Sequence, residues 1–245
     1  MKLTLAEPKY LKDSIGAISE LVNEARFKIT KDAIELVAMD PANVAMVVFK
    51  LLSSAFVEYE LEEEVEIATN FANLKQVMKR AKSNDMLTLS LEENRLKLTF
   101  KGTSTRTFML ATIELDEKEQ KVPNLTFPVS IKTSTQALAD AIDDADVFAD
   151  SVTFIVENGK FIIEAEGDTN KVRNEISDGA EITAETQDKI SAKYSIEYLK
   201  KMMTGAKLSD DVVIKFNKDY PLMLEFKTVD KVLLSFILAP RVEND

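Results

Sequence analysis

Six lysines of this chain stand where they could hold phosphate. Lys75, Lys79 and Lys82 fall at i, i+4 and i+7, which on a helical wheel lines them along one face beside an apolar stripe. Lys200 and Lys207 take the corresponding places later in the chain with Thr204 between them, and Lys12, with Lys9, lies on the polar side of an earlier amphipathic stretch. Ammonium groups on a rigid surface neutralise phosphates without reading bases. A single stripe of this kind also fits an ordinary solvated helix face, and its recurrence argues for the phosphate chemistry. A second constellation has the opposite sign: Asp140, Asp143, Asp144, Asp146 and Asp150 crowd one short stretch. It admits three readings. A divalent-cation site needs converging ligands, and the spacing does not follow the calcium-loop template. The others are a solvated acidic face and an ion-pair surface between subunits, complementary to Arg80, Lys82 and Arg106.

Other chemistry is thin. The chain has no histidine and no cysteine, which removes the usual general base, the commonest metal ligand and the thiolate nucleophile. Gly102 and Gly167 are isolated, so no phosphate-cradling loop is present. Glu62, Glu63 and Glu64 sit in a charged turn with nothing nearby to raise a carboxyl pKa. Met39, Asp40 and Pro41 end a strand and turn the chain. The sequence therefore predicts no catalysis, no metal site and no cofactor. Leu238 to Glu243 carries apolar residues that a free end does not need.

The elements that must position these groups come in two copies. Leu11, Ile15, Phe27, Ile29, Ile34, Leu36 and Ala38 recur as Leu138, Ile142, Phe154, Val156, Phe161, Ile163 and Ala165, and Leu74, Val77, Met78, Ala81 and Lys82 recur as Leu199, Met202, Met203, Ala206 and Lys207. The period is too long for a solenoid and describes a duplicated domain. Strands are predicted at 34–39, 44–50, 87–91, 96–101 and 105–113, then at 152–156, 161–165, 212–216, 222–226 and 232–238. Turn residues separate them, as at Glu92-Glu93-Asn94 and Glu157-Asn158-Gly159. Helices are expected near 9–22, 72–82, 135–149 and 196–206. The reading is an α+β protein of two similar domains, 1–115 and 128–245, each with antiparallel sheets and two helices on one face. The linker 116–127 carries Val122, Pro123 and Leu125, apolar residues that suit a segment lying along the body.

Charge sharpens this. The net charge is −11. Residues 1–115 hold 15 basic against 17 acidic groups, and the remainder 16 against 25. Overall acidity speaks against nucleic acid unless the cations gather on one surface. No apolar run approaches the roughly 20 residues of a membrane span. The start, Met1 to Glu7, alternates like a first strand rather than a leader.

Several segments together resemble the proliferating cell nuclear antigen family, the DNA sliding clamps of archaea and eukaryotes, in its archaeal form. They are Leu36–Val44, Asn23–Ala25, Lys101–Phe108, Tyr198-Leu199 and Leu238–Glu243, in family order and spacing over essentially the whole chain. The resemblance implies the DNA clamp fold: a homotrimeric ring of two-domain subunits, helices lining a hole and curved sheets forming the wall. It implies non-specific encirclement of double-stranded DNA, with Lys12, Lys75, Lys79, Lys82, Lys200 and Lys207 facing the channel. It implies that a strand near Thr105–Leu110 pairs with one near Lys171–Ser177 of the next subunit. Arg80, Lys82 and Arg106 on one side would meet Asp140, Asp143 and Asp144 on the other. DNA polymerase, clamp loader, flap endonuclease and DNA ligase would dock short hydrophobic motifs on Met39, Val44, Val122, Pro221, Ile237, Ala239 and Pro240. Loading would need a separate ATP-driven opener, and the setting would be the cytoplasmic nucleoid. The chain departs from the family on the helix that holds Asp143 and Asp146, where family members often carry basic residues. Two rivals are an Asp/Glu acid–base hydrolase or transferase, and a non-DNA scaffold or subunit of a hetero-oligomeric clamp. The presence of both complementary surfaces on one chain favours self-assembly.

Overall fold

The computed structural model describes residues 1–115, 120–177, 179–185 and 188–242. Part of the expected linker, 116–119, and Glu243 lie outside the described residues. The first half runs β1 (Lys2–Leu5), α1 (Lys9–Ile18), β2 (Glu24–Ile29), β3 (Ala33–Met39), β4 (Ala45–Leu52), β5 (Glu58–Glu60), β6 (Val65–Asn70), α2 (Phe71–Met78), β7 (Met86–Glu92), β8 (Arg95–Lys101) and β9 (Thr105–Ala111). The second half repeats that order as β10 (Val129–Ser134), α3 (Thr135–Asp146), β11 (Ser151–Glu157), β12 (Lys160–Glu166), β13 (Lys171–Ile176), β14 (Glu181–Ala184), β15 (Ile190–Ser195), α4 (Ile196–Met202), β16 (Asp211–Phe216), β17 (Leu222–Thr228) and β18 (Val232–Leu238).

Two compact units result: Met1–Asn43 with Val47–Val122 and Lys227–Leu234, and Val44–Met46 with Pro123–Phe226 and Ser235–Asp245. Strands in the first half follow the orders β5-β1-β7-β8-β9 and β4-β3-β2-β6, and those in the second follow β14-β10-β16-β17-β18 and β13-β12-β11-β15. Strand for strand, the orders correspond. β4 and β18 are neighbours: within the second unit the Ala239 N–H donates to the Val44 carbonyl (3.0 Å), and within the first the Leu52 N–H donates to that of Lys231 (2.8 Å).

Local chemistry explains the elements. Glu93 and Asn94, and Asn158 and Gly159, adopt positive φ between strands paired at Glu92↔Arg95 and Glu157↔Lys160, the two-residue hairpin that matches strand twist. Asn70 caps α2 by accepting from the Asn73 N–H (3.0 Å), and Ser134 caps α3 from that of Ala137 (3.1 Å). In the first unit the Phe27 ring meets those of Phe71 (5.4 Å) and Phe49 (6.3 Å); in the second, its repeat counterpart Phe154 meets Phe161, Tyr194 and Phe216. Edge-to-face packing of fully buried rings like Phe154 adds directional energy to apolar burial.

The helices are shorter than their periodicity predicts. After Met78 the backbone tightens, with Arg80 N–H donating to Val77 (2.9 Å) and Ala81 N–H to Met78 (3.0 Å). Lys79 still closes the last α-helical turn, its N–H donating to the Lys75 carbonyl (2.9 Å), whereas Lys82, whose N–H goes to the Asp85 carboxylate, lies beyond the helix and off its face. Likewise α4 gives way to a 3₁₀ segment, Met203–Leu208, where a Cβ on Gly205 would come within 2.7 Å of the Phe226 ring. Strands β2, β5, β6, β10, β14 and β15 escape the sequence reading, since each is six residues or fewer and holds at most three apolar side chains to show an alternation. Among the described residues, no helix is long and apolar enough to cross a membrane.

Among the described residues, two buried hydroxyls, Ser14 Oγ and Thr133 Oγ1, have no hydrogen-bond partner. The repeat position of Ser14 is Ala141, buried on the same face of α3. Ser14→Ala removes an unsatisfied polar atom and improves helix propensity, so we expect about 1 kcal/mol of added stability, or about 2–4 °C in Tm. Denaturant titration checks this, and an unchanged or lower midpoint contradicts it.

Candidate nucleic-acid interface and subunit edges

The two helices of each unit pack together, and the lysines lie on α1, on α2 and α4, and on the turns that follow those two. Lys12 Nζ donates to the Ala81 carbonyl (3.0 Å), tying α1 to the end of α2, and Lys75 pairs with Glu20 (2.6 Å). In the second unit Lys200 lies 2.6 Å from Asp146 and 3.6 Å from Asp143. Its ammonium is held above the ordinary lysine range, chiefly by the hydrogen bond to Asp146. Exposed Lys79, Lys82 and Lys207 form no side-chain ion pair among the described residues. The six predicted cations thus divide into three with partners in the chain and three without a side-chain ion pair among the described residues. Solvent screens pairs this exposed, so Lys75 and Lys200 can exchange their carboxylates for another anion at little cost.

The acidic helix distributes its carboxylates. Asp140 accepts from Gln136 Nε2 (2.7 Å), Asp144 from Asn174 Nδ2 (3.2 Å), and Asp150 pairs with Arg241 (3.0 Å). Among the described residues no three of them converge as metal ligands. The Asn174 contact lays the acidic face of α3 against β13.

β9 ends its sheet order, and so does β13. Exposed Thr105 opens β9, and Lys171 opens β13, where it and Arg173 share Glu164. Arg106, expected at the subunit edge, is also held inside its own chain. Its guanidinium is engaged within the chain, with NH1 donating to the Arg80 carbonyl (2.8 Å), NH2 bound to Asp85, and the group lying 5.4 Å over the Phe100 ring. Asp85 is buried and also accepts the Lys82 N–H (2.8 Å). That backbone bond and then Arg106 hold its carboxyl below the usual carboxylate range. A Cβ on Gly102 would approach Asp85 Oδ1 to 2.3 Å, so a larger residue there would have to displace the carboxylate. Sequence reading missed Asp85. Its only signal is the spacing Asp85, Gly102, Arg106, which carries meaning once β7, β8 and β9 are paired.

The expected apolar docking residues are distributed between the units. Val44, Pro221, Ile237, Ala239 and Pro240 belong to the second, with Ile237 buried and Ala239 exposed; half-exposed Met39 and exposed Val122 belong to the first. The first unit also holds a cleft of about 420 Å³ between β2 and β3, lined by Glu24, Arg26, Val37, Met39, Asp40 and Gln120. The β2–β3 ladder covers only Lys28↔Glu35 and Ile29↔Ile34, whereas its counterpart β11–β12 covers five pairs. Nothing in the apolar pattern predicts that opening.

Residues 1–121 match the N-terminal domain, and residues 121–241 the C-terminal domain, of proliferating cell nuclear antigen. The chain belongs to the proliferating cell nuclear antigen family. It is 37% identical to the DNA polymerase sliding clamp of Nanoarchaeum equitans, across 98% of this chain and 99% of that one. It is 38% identical to that of Pyrococcus furiosus, across 94% of each. Among solved structures it superposes on the family member of Thermococcus kodakaraensis with a TM-score of 0.92 at 28% identity, covering 98% of this chain and 99% of that one. A chain of the PCNA2–PCNA3 complex of Sulfolobus tokodaii gives 0.89 at 28% identity, over 99% and 100%. In this family member the basic helix ends and the two terminal strands are the features left to explain.

Proposed function

We propose that this chain is a DNA sliding clamp, a self-assembling ring that encircles duplex DNA and tethers DNA polymerase and other replication and repair enzymes to it. The observation that carries the reading is the unequal fate of equivalent strands. β9 and β13 are the repeat counterparts of β18 and β4, which pair inside the chain while β9 and β13 keep an open edge. An open edge is a template for another strand, and closure into a ring removes it.

The repeat also supplies an expected register. Buried Leu234, Phe236 and Leu238 correspond to Arg106, Phe108 and Leu110, 128 residues earlier. The turn Asp40–Asn43 corresponds to Gly167–Asn170, 127 residues later, each closed by a backbone bond. Carrying the Val44–Ala239 pairing across sets Thr107 opposite Glu175 and Phe108 opposite Asn174. Since Asp144 already bonds Asn174, the same register would bring Arg106 and Arg80 beside the acidic helix of the next copy. High salt should loosen such a ring.

Inside the ring, Lys12, Lys75, Lys79, Lys82, Lys200 and Lys207 would contact phosphates weakly and without sequence preference, which permits sliding. The apolar residues Met39, Val44, Val122, Pro221, Ile237, Ala239 and Pro240 would receive the hydrophobic motifs of clients. Tethering acts through effective concentration, so the clamp needs no catalysis of its own. The linker 116–127 between domains 1–115 and 128–245 belongs to the same proposal.

The chain lacks cysteine, so a Thr107→Cys, Glu175→Cys variant carries only the two introduced thiols. Mild oxidation should join three copies into a closed covalent species, whereas Thr107→Cys with Arg173→Cys, one pair out of register, should join far less. Joined before loading, the ring should be excluded from circular DNA; joined on it, it should stay until the circle is cut. A monomer at micromolar concentration, or retention indifferent to linearisation, refutes the clamp reading.

A further inference from the structure

We infer that Asp85 is a positioning residue that prepares the β9 edge and Arg106 for joining to the next copy; this rests on the ring reading above. One buried carboxylate gathers three segments. It accepts the Lys82 N–H beyond the end of α2, binds Arg106 NH2 on β9, and occupies the space that Gly102 leaves at the β8–β9 turn. Through Arg106 NH1 it also reaches the carbonyl of Arg80. The two basic groups near the edge, Arg80 and Lys82, are therefore held by backbone atoms, and the third, Arg106, by its own side chain.

A guanidinium has five N–H donors in a rigid fork. The bonds to Asp85 and Arg80 use two of them, and the side chain keeps 22% of its surface exposed. Donors remain for an incoming carboxylate, and the side chain is already ordered. Fixing a flexible arginine before association lowers the entropic cost of the encounter.

The second half lacks the arrangement. The residue 125 after Asp85 is Asp210, which is exposed, and the residue aligned with Arg106 is Leu234, which is buried. β18, the strand without the arginine, is paired within the chain, and β9, the strand with it, has an open edge. A purely structural bond would have no reason to follow the open edge. A device for the joint does.

The test is the subunit dissociation constant of the full chain measured by sedimentation across a salt series. Asp85→Asn keeps the size and an acceptor for the Lys82 N–H but loses the charge that holds Arg106. It should raise the constant at least tenfold and flatten its salt dependence, with hydrophobic-motif binding unchanged. In an Arg106→Gln background the same change should have little further effect. Arg106→Lys, which keeps the charge but cannot bridge Asp85 and the Arg80 carbonyl, should reproduce the loss and serves if Asp85→Asn does not fold. A wild-type trimer whose constant and salt slope survive both Asp85→Asn and Arg106→Lys, or additive effects of Asp85→Asn and Arg106→Gln, overturns the positioning role alone. A wild-type chain that stays monomeric overturns the ring reading instead.

Discussion

Lys79→Glu, Lys82→Glu and Lys207→Glu combined will shorten retention on circular DNA by on the order of a hundredfold or more at near-physiological salt. These three predicted cations form no side-chain ion pair among the described residues. Each phosphate neutralised by such a group releases counterions, and the logarithm of affinity falls with the logarithm of salt in proportion to their number. Reversing three charges in every subunit removes attractive terms and adds repulsive ones, so the effect multiplies around a ring. The salt slope should fall together with the retention. Lys75 and Lys200 should matter less, because Glu20, Asp143 and Asp146 already offset them. Retention on nicked circles across a salt series checks both statements. Equal retention of the triple variant would reduce these lysines to a solvated face.

Val122→Asp will weaken binding of a hydrophobic-motif peptide at least about a hundredfold and leave the oligomer intact. Val122 is 45% exposed in the free chain, so a carboxylate there is solvated and costs the fold little. In the bound state it would have to lose that water against an apolar peptide. Burying a polar group without a partner costs several kcal/mol, and about 3 kcal/mol already corresponds to two decades in Kd. Calorimetric titration with the peptide, beside sedimentation of the same sample, separates the two outcomes. Unchanged affinity would remove Val122 from the docking surface, and a broken oligomer would give it a structural role.

Legibility followed the range of the interactions involved. The duplication, the α+β class and the hairpin turns at Asn94 and Asn158 were readable, because apolar periodicity and backbone preference are properties of neighbouring residues. The acidic stretch was readable as charge but not as partners. Its engagement of Lys200, Asn174 and Arg241 depends on packing between distant segments. Helix ends were overextended for a related reason: Ala81 continues the apolar stripe, yet the chain tightens after Met78 to return into β7.

By itself, the sequence determined that two copies of one α+β unit exist, that no histidine or cysteine chemistry is available, and that basic residues recur at the same places in both copies. These follow from residue identity and spacing alone. Only the tertiary structure decided which lysines find partners among the described residues, that Arg106 is held by Asp85, and that β9 and β13 keep open edges while β4 and β18 do not. Such facts belong to pairs of residues far apart in the chain, whose separation in space is set by strand register and burial rather than by local spacing.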